Sequence, residues 1–253
     1  MTIANVPVLS SALGRALLIS NDEATIAQVS ESTRQLDTVL EVCPSVASAL
    51  RLLSQQKFEA AFVDLWLGGD VKTVLEKVRC SPSNRTAVIF TISDSDEETV
   101  GALKGGSNFV VRRPLSPAVI DKSLKVGYGF IVRERRRYFR CPVQIPASIR
   151  GGGMQEINGM VVNISEGGIG VTVSATLKAG IKVMVQFVLP GRPSQFAAQA
   201  TTCWCEDRYV GLQFVSLAPQ LESELQQWLS SKLEESLPAS VADKFRNLGN
   251  APV

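Results

Sequence analysis

The chain has no histidine among its 253 residues. Histidine is the usual general base of a catalytic triad, a common zinc ligand and the phosphate carrier of relay proteins, so its absence excludes those classes of site. No other pair of nucleophile and base stands out in the sequence. We therefore expect no catalytic residues and a protein that is not an enzyme.

Cysteine is also scarce. The five cysteines are too few for a secreted disulfide scaffold and form no Cys-x-x-Cys pair. Cys203 and Cys205 flank a tryptophan, but strand alternation already places both thiols on one face of a half-buried strand without a metal. We expect reduced thiols, no bound metal and no cofactor.

Long hydrophobic runs are missing. No segment approaches the ~18 apolar residues that a membrane-spanning helix needs, and the start of the chain lacks a basic stretch of the kind found in secretion signals. The net charge of +2 gives no general attraction to nucleic acid or anionic lipid. Aromatic residues make up 6% of the chain, and only Tyr138 and Phe139 adjoin its basic run, which disfavours a barrel that binds RNA or single-stranded DNA. We expect a cytoplasmic protein that neither enters a membrane nor binds nucleic acid.

Short apolar runs alternate with helical patterns from Arg15 to about Gly129. The strand candidates are ALLIS, TVLEVC, AAFVDL, AVIFTI and FVV, and the helix candidates lie near residues 23–36, 46–55, 71–80, 96–104 and 116–132. Repeated strand and helix units of this kind predict an α/β domain with a doubly wound, five-stranded parallel sheet.

The pattern changes after Arg137 to short strands separated by turns that are rich in glycine. The candidates are VQIPASI, INGMVVNI, GIGVTV, KVMVQFVL, FAAQATTCWC and YVGLQF. They predict a six-stranded antiparallel β-barrel. Apolar side chains at helical spacing from Pro219 to Lys232 predict a C-terminal helix that covers one end of the barrel.

These changes of pattern divide the chain into five predicted segments. They are an N-terminal extension at 1–14, an α/β domain at 15–132, an arginine-rich linker at 133–140, a β-barrel domain at 141–233 and a C-terminal tail at 234–253.

Five of the eight residues at 133–140 are arginines, and Asn163-Ile-Ser165-Glu-Gly167-Gly168 follows some two dozen residues later. A guanidinium group can grip a phosphate with two hydrogen bonds or lie on a purine ring. On a strand, Asn163 and Ser165 point to the same face, and the two glycines allow a ligand to approach the backbone closely. This combination predicts a site for phosphate and purine. The alternatives are a solvated arginine face, the C-terminus of a helix where the macrodipole favours arginine, and an ordinary turn.

The order Arg-x-x-x-Arg and then Asn-x-Ser-x-x-Gly resembles the PilZ family, bacterial modules that bind the second messenger cyclic di-GMP. The strand that ends at Trp204 and the segment VGLQF after it also resemble that family. The resemblance implies that cyclic di-GMP is bound by Arg136, Arg140, Asn163, Ser165 and Gly168, with help from Arg135, Arg137 and Gly167.

The N-terminal half resembles the receiver domain of response regulators. Asp22 follows the first strand candidate, Asp64 ends the third, where receivers carry the phosphoacceptor, and Arg113 follows the fifth, where they carry lysine. The amide of Asn21 replaces an acid, and Ile92 stands where a hydroxyl side chain is expected. The resemblance therefore implies a degenerate receiver that serves in dimerisation or partner docking. Asp64, Asp22 and Arg113 would be the remnant of a phosphorylation site.

These features predict a non-enzymatic signalling effector that binds cyclic di-GMP on the barrel. Because the arginines lie where the α/β domain ends, we expect nucleotide binding to be coupled to that pseudo-receiver domain, which would also supply interdomain, partner or homodimer contacts. The alternative is a phosphorylation-controlled response regulator that uses Asp64 and whose barrel binds no nucleotide. Receiver chemistry needs carboxylates for Mg²⁺ and a lysine, so Asn21 and Arg113 argue against the alternative.

Overall fold

The computed structural model describes residues 14–36, 38–68, 71–151, 154–174, 177–192, 195–237 and 239. The predicted N-terminal extension lies outside these residues except for Gly14, and the predicted tail is described only at 234–237 and 239. The chain forms two compact units. Of the described residues, those up to Arg135 and those after Glu234 belong to one unit, and those in Arg136–Glu234 form the other.

The first unit is a parallel sheet flanked by helices. Its strands are β1 (Gly14–Ile19), β2 (Thr38–Cys43), β3 (Ala60–Asp64), β4 (Val88–Ser93) and β5 (Phe109–Arg112), and its helices are α1 (Glu23–Gln35), α2 (Val46–Gln55), α3 (Val71–Cys80), α4 (Asp96–Lys104) and α5 (Pro117–Tyr138). A short 3₁₀ turn, Leu65–Leu67, follows β3. The strand order is β2-β1-β3-β4-β5, which confirms the predicted doubly wound sheet.

The helices begin where the sequence supplies caps, and the central strands are fully buried. Asp22, Ser45 and Ser95 accept hydrogen bonds from the first turns of α1, α2 and α4. Every residue of β3 and β4 is buried. On one side of the sheet, Phe62 stacks on Phe90 with 4.9 Å between ring centroids. Burial on both faces explains why these strands show apolar runs rather than an alternating pattern.

Helix α5 is longer than the sequence predicted. It ends at Tyr138, so most of the segment predicted as a linker at 133–140 is helical. The cause lies in the residue that interrupts the arginines. Glu134 is buried, forms a salt bridge with Lys57 and accepts a 2.6 Å hydrogen bond from Thr86. The buried, paired charge of Glu134 holds the end of α5 against the sheet, so the helix continues beyond the last of its regularly spaced apolar residues.

The second unit is a closed barrel with one helix. Its strands are β6 (Cys141–Gly151), β7 (Met154–Ser165), β8 (Gly168–Val173), β9 (Lys182–Val188), β10 (Gln195–Glu206) and β11 (Tyr209–Ser216), followed by α6 (Pro219–Ser236). The strand order around the barrel is β10-β11-β8-β7-β6-β9. The predicted six-stranded antiparallel barrel and C-terminal helix are confirmed.

Alternation along the strands fills the barrel, and α6 packs on it. Val161, Ile164 and Val171 point inward and are 0% exposed. On α6, the buried indole of Trp228 donates a 3.0 Å hydrogen bond to the carbonyl oxygen of Pro190, beyond the end of β9. The polar edge of the indole is therefore satisfied while its rings add apolar burial. No helix of the described residues is long and apolar enough to cross a membrane.

Two glycines of α5 provide a matched test of packing in the first unit. A Cβ at Gly127 would lie 2.4 Å from Cζ of Phe90, whereas a Cβ at Gly129 would have no heavy atom within 4 Å. We expect Gly127→Ala to destabilise the protein by about 1–3 kcal/mol through overpacking. Gly129→Ala should stabilise it by about 0.5–1 kcal/mol through helix propensity. Urea unfolding measures both, and effects of the same sign would contradict this packing.

Candidate functional site

The first group of polar residues lies at the carboxyl edge of the parallel sheet, around Asp64 at the end of β3. Asp64 is 1% exposed. Ser20 Oγ donates a 2.7 Å hydrogen bond to its Oδ2, and Arg113 Nη2 lies 2.9 Å from Oδ1 and 2.8 Å from Oδ2. Both carboxylate oxygens therefore accept hydrogen bonds from the protein itself.

Arg113 is the centre of this group. Its guanidinium is 3.8 Å from the centroid of the Trp66 ring and forms ion pairs with Asp22 at 3.7 Å and Asp94 at 3.5 Å. The side chain of Arg113 is only 12% exposed. One cation thus faces three carboxylates and one aromatic ring. A planar guanidinium fits this arrangement better than the ammonium group of a lysine would.

The predicted residues Asp22, Asp64 and Arg113 are brought together here, but the prediction missed Trp66 and Asp94. Asp94 directly follows β4, just as Asp64 ends β3, so the rule that parallel strands gather their carboxyl ends could have found it. No pattern in the sequence marks Trp66 as a partner of an arginine 47 positions away.

The pKa of Asp22 lies below its ordinary value. The largest cause is the hydrogen bond from the hydroxyl of Thr25, followed by that from the backbone N–H of Thr25, and the charge of Arg113 has a smaller effect in the same direction. A carboxylate whose pKa is lower in the folded state stabilises that state above its unfolded pKa. This contribution is lost as the pH falls through the folded pKa.

The second group lies on the barrel, where α5 ends and β6 begins. Arg136 and Arg137 are in the last turn of α5, and Arg140 directly precedes β6. In the β6–β7 ladder Cys141 pairs with Ile164. One step further in the same register brings Arg140 level with Ser165, so the arginine run and the Asn-x-Ser-x-x-Gly segment meet at one end of the barrel.

Asn163 and Ser165 have different environments. Asn163 is half-buried, and its Oδ1 is buried without a hydrogen-bond donor among the described residues. Ser165 is 6% exposed, and its hydroxyl donates a 3.0 Å hydrogen bond to the carbonyl oxygen of Gly168. Ser165 therefore closes the β7–β8 hairpin, while Asn163 retains an acceptor for another molecule.

The two glycines of the hairpin also differ. A Cβ at Gly168 would lie 2.2 Å from the carbonyl oxygen of Leu212, so packing of β8 against β11 requires glycine there. A Cβ at Gly167 would meet no heavy atom of the described structure within 4 Å. Only Gly167 borders open space where a ligand can approach the backbone.

Arg136 is half-buried, whereas Arg137 and Arg140 have exposed side chains. Burial lowers the pKa of Arg136, while the nearby carboxylates of Glu234 and Glu166 raise it. Arg137, with Glu166 of the hairpin turn, lines a cleft of about 290 Å³.

Arg135 was predicted as a helper in binding nucleotide. Its guanidinium lies 4.0 Å from the carboxylate of Glu59 in the α/β unit. The contribution of Arg135 to binding nucleotide stays a prediction.

Residues 134–231 match the family model of the PilZ domain, so the resemblance predicted from the motifs is confirmed for these residues. The first unit has the strand order 2-1-3-4-5, which is common among doubly wound sheets. No curated protein matches the chain.

Solved structures similar to the chain include both kinds of domain. The receiver domain of a sensor histidine kinase from Pseudomonas aeruginosa PAO1 is 17% identical, with a TM-score of 0.41, over 45% of this chain and 95% of that one. The PilZ domain of CeSA from a cellulose synthesizing bacterium is 20% identical, with a TM-score of 0.31, over 37% of this chain and 96% of that one. The Bacillus subtilis inhibitor of motility MotI/DgrA is 22% identical, with a TM-score of 0.34, over 39% of this chain and 51% of that one.

Alanine variants of the neighbouring residues Arg112 and Arg113 provide a test of the cluster around Asp64. Arg113→Ala should destabilise the protein by about 3–5 kcal/mol, because it leaves a buried carboxylate without its cation. Arg112 pairs with Asp96 in solvent, with side chains 45% and 96% exposed, so Arg112→Ala should cost at most about 1 kcal/mol. Urea unfolding at neutral pH compares the two variants. Equal losses would show that Arg113 holds no buried charge in place.

Proposed function

We propose that this protein is a non-enzymatic signalling receptor for cyclic di-GMP, which binds to the barrel through Arg136, Arg140, Asn163, Ser165 and Gly168. The observation that carries the proposal is the buried Oδ1 of Asn163, which has no hydrogen-bond donor among the described residues and lies within the segment that matches the PilZ family model. The receiver-like unit provides contacts to a partner or within the chain.

The arginines supply the charge that the nucleotide needs. Cyclic di-GMP carries two phosphodiester groups, and a guanidinium binds such a group through paired, charge-assisted hydrogen bonds. Arg140 is exposed next to the hairpin, so it reaches a ligand without breaking a buried contact. Arg137 is exposed beside the turn and serves as a helper.

Asn163 supplies base recognition. The edge of guanine presents N–H donors, and an amide oxygen is an acceptor with two lone pairs. A buried acceptor without a partner costs about 1–3 kcal/mol, which a bound guanine would recover. Ser165 and Gly168 act mainly by shaping the hairpin that presents Asn163, and Gly167 leaves room for the ligand.

Phosphotransfer to Asp64 has less support. An attacking carboxylate oxygen must leave its hydrogen bonds, yet both oxygens of Asp64 are bonded to Arg113 and Oδ2 also accepts from Ser20. Because Arg113 is hydrogen-bonded to both carboxylate oxygens of Asp64, we interpret this edge of the sheet as a stable cluster rather than a reactive site. Mg²⁺-dependent labelling of Asp64 by a small phosphodonor would favour the alternative function.

Isothermal titration of the purified chain with cyclic di-GMP tests the proposal. We expect saturable binding, and Arg140→Ala should lose about 2–5 kcal/mol of binding free energy because a phosphate is left without its cation. GTP and GMP are the ligand controls. Arg150→Ala is the matched control variant, because Arg150 is an exposed barrel arginine that pairs with Glu156 at 2.7 Å. Full affinity in Arg140→Ala would overturn this assignment of the site.

We also propose that nucleotide binding is coupled to the receiver-like unit. Arg136 belongs to α5, and the preceding residues of the same helix belong to the first unit. A ligand changes the arrangement of two domains only if it binds one arrangement more tightly. Small-angle scattering should therefore change on saturation with cyclic di-GMP, and Arg140→Ala should show no change. Identical profiles for the free and saturated parent protein would contradict the coupling.

Self-association through the receiver-like unit stays a prediction from the resemblance. Sedimentation equilibrium of the chain measures it directly, and a monomer at high concentration would exclude it.

A further inference from the structure

One row of residues crosses four strands on the outer face of the barrel. Trp204 on β10 pairs with Gly211 on β11, Gly211 pairs with Gly170 on β8, and Gly170 pairs with Asn163 on β7. Residues paired across neighbouring strands point to the same face of a sheet. Ile164, next to Asn163, points inward and is 0% exposed, so this row faces outward.

The two large side chains of the row lean towards each other across its glycines. A Cβ at Gly211 would lie 2.2 Å from Nε1, 2.4 Å from Cε2 and 2.8 Å from Cδ1 of Trp204. Three atoms of the five-membered ring thus cover this one glycine. From the other end, a Cβ at Gly170 would lie 2.5 Å from Nδ2 of Asn163. Neighbouring strands are about 4.8 Å apart, so the indole and the amide lie side by side.

The indole of Trp204 is 50% exposed even though it covers Gly211. Single exposed apolar side chains are common on protein surfaces and need no function. Trp204 differs because a glycine beneath it lets the ring lie over the barrel, and because its neighbour in the row holds a buried, unpartnered acceptor. An exposed aromatic surface beside such an acceptor has the two features that bind a nucleobase, one for its face and one for its edge.

We propose that Trp204 is the stacking surface for a guanine of the nucleotide and that Asn163 Oδ1 accepts a hydrogen bond from the edge of the same base. This inference rests on the proposed function and extends its site from the arginines to β10. Any nucleobase can stack on the indole, so the discrimination between guanine and adenine comes from Asn163. Guanine presents adjacent N1–H and N2–H donors, whereas adenine presents an acceptor at N1.

Titration with cyclic di-GMP compares three tryptophan variants with the parent. Trp204→Ala should bind about 5- to 150-fold more weakly, the range that corresponds to the loss of one stacked base. Trp204→Phe should keep most of the affinity because it retains an aromatic face. Trp66→Phe removes an indole that is 58% exposed in the other unit and should bind like the parent. Thermal unfolding of each variant identifies any loss that comes from the fold.

Fluorescence gives a readout that does not depend on affinity. Stacking on guanine should quench the emission of Trp204 in Trp66→Phe, where the only other tryptophan is the buried Trp228. The same titration of Trp204→Phe should show no such quenching. Equal quenching with and without Trp204 would overturn the stacking assignment.

The outcomes separate the inference from the function on which it rests. If the parent does not bind cyclic di-GMP, both are wrong. If the parent binds and Arg140→Ala fails to bind, while Trp204→Ala binds like the parent, the receptor function stands and the role of Trp204 is wrong. Cyclic di-AMP gives the final comparison. Equal binding of the two nucleotides would contradict discrimination by Asn163.

Discussion

The register of β7 against β6 and β8 is the constraint on which the barrel site depends. It pairs Cys141, the residue after Arg140, with Ile164, the residue before Ser165, and it pairs Asn163 with Gly170. Because strand side chains alternate, a slip of one residue would turn Asn163 into the core and bring Ile164 to the surface. Burial of Ile164, which is 0% exposed, therefore selects the register, and an apolar contact positions the polar site.

One arginine determines the character of the carboxyl edge of the parallel sheet. The fold still gathers side chains from the ends of β1, β3, β4 and β5 at one place. Arg113, however, fills that place with a cation that bonds to Asp64, contacts Trp66 and pairs with Asp94. A lysine ammonium is a compact charge that a phosphoryl group can engage, whereas this guanidinium is already held on several sides. The carboxyl ends of these strands therefore meet in a cluster of ion pairs and hydrogen bonds around Arg113.

The sequence was sufficient for both folds because the periodicity of apolar residues reports burial directly. It could not give the end of α5, since Glu134 stabilises that helix through Lys57 and Thr86, residues 77 and 48 positions away. Trp66 was missed in the cluster around Asp64 for a similar reason, because only the tertiary structure brings it close to Arg113. The role proposed for Trp204 likewise depends on Gly211, which lies beneath its ring only in the folded barrel.

The segment Asn-x-Ser-x-x-Gly combines two kinds of residue. Ser165 and Gly168 are explained by the barrel alone, since the first closes the hairpin and the second lets β8 approach β11. Asn163 is not explained in this way, because folding leaves its Oδ1 buried without a donor among the described residues. A barrel could keep the serine and the glycine for its own stability and still bind nothing. We therefore expect the proposed nucleotide binding to depend mainly on Asn163 and on the exposed Arg140, which the contacts of the barrel described above do not explain.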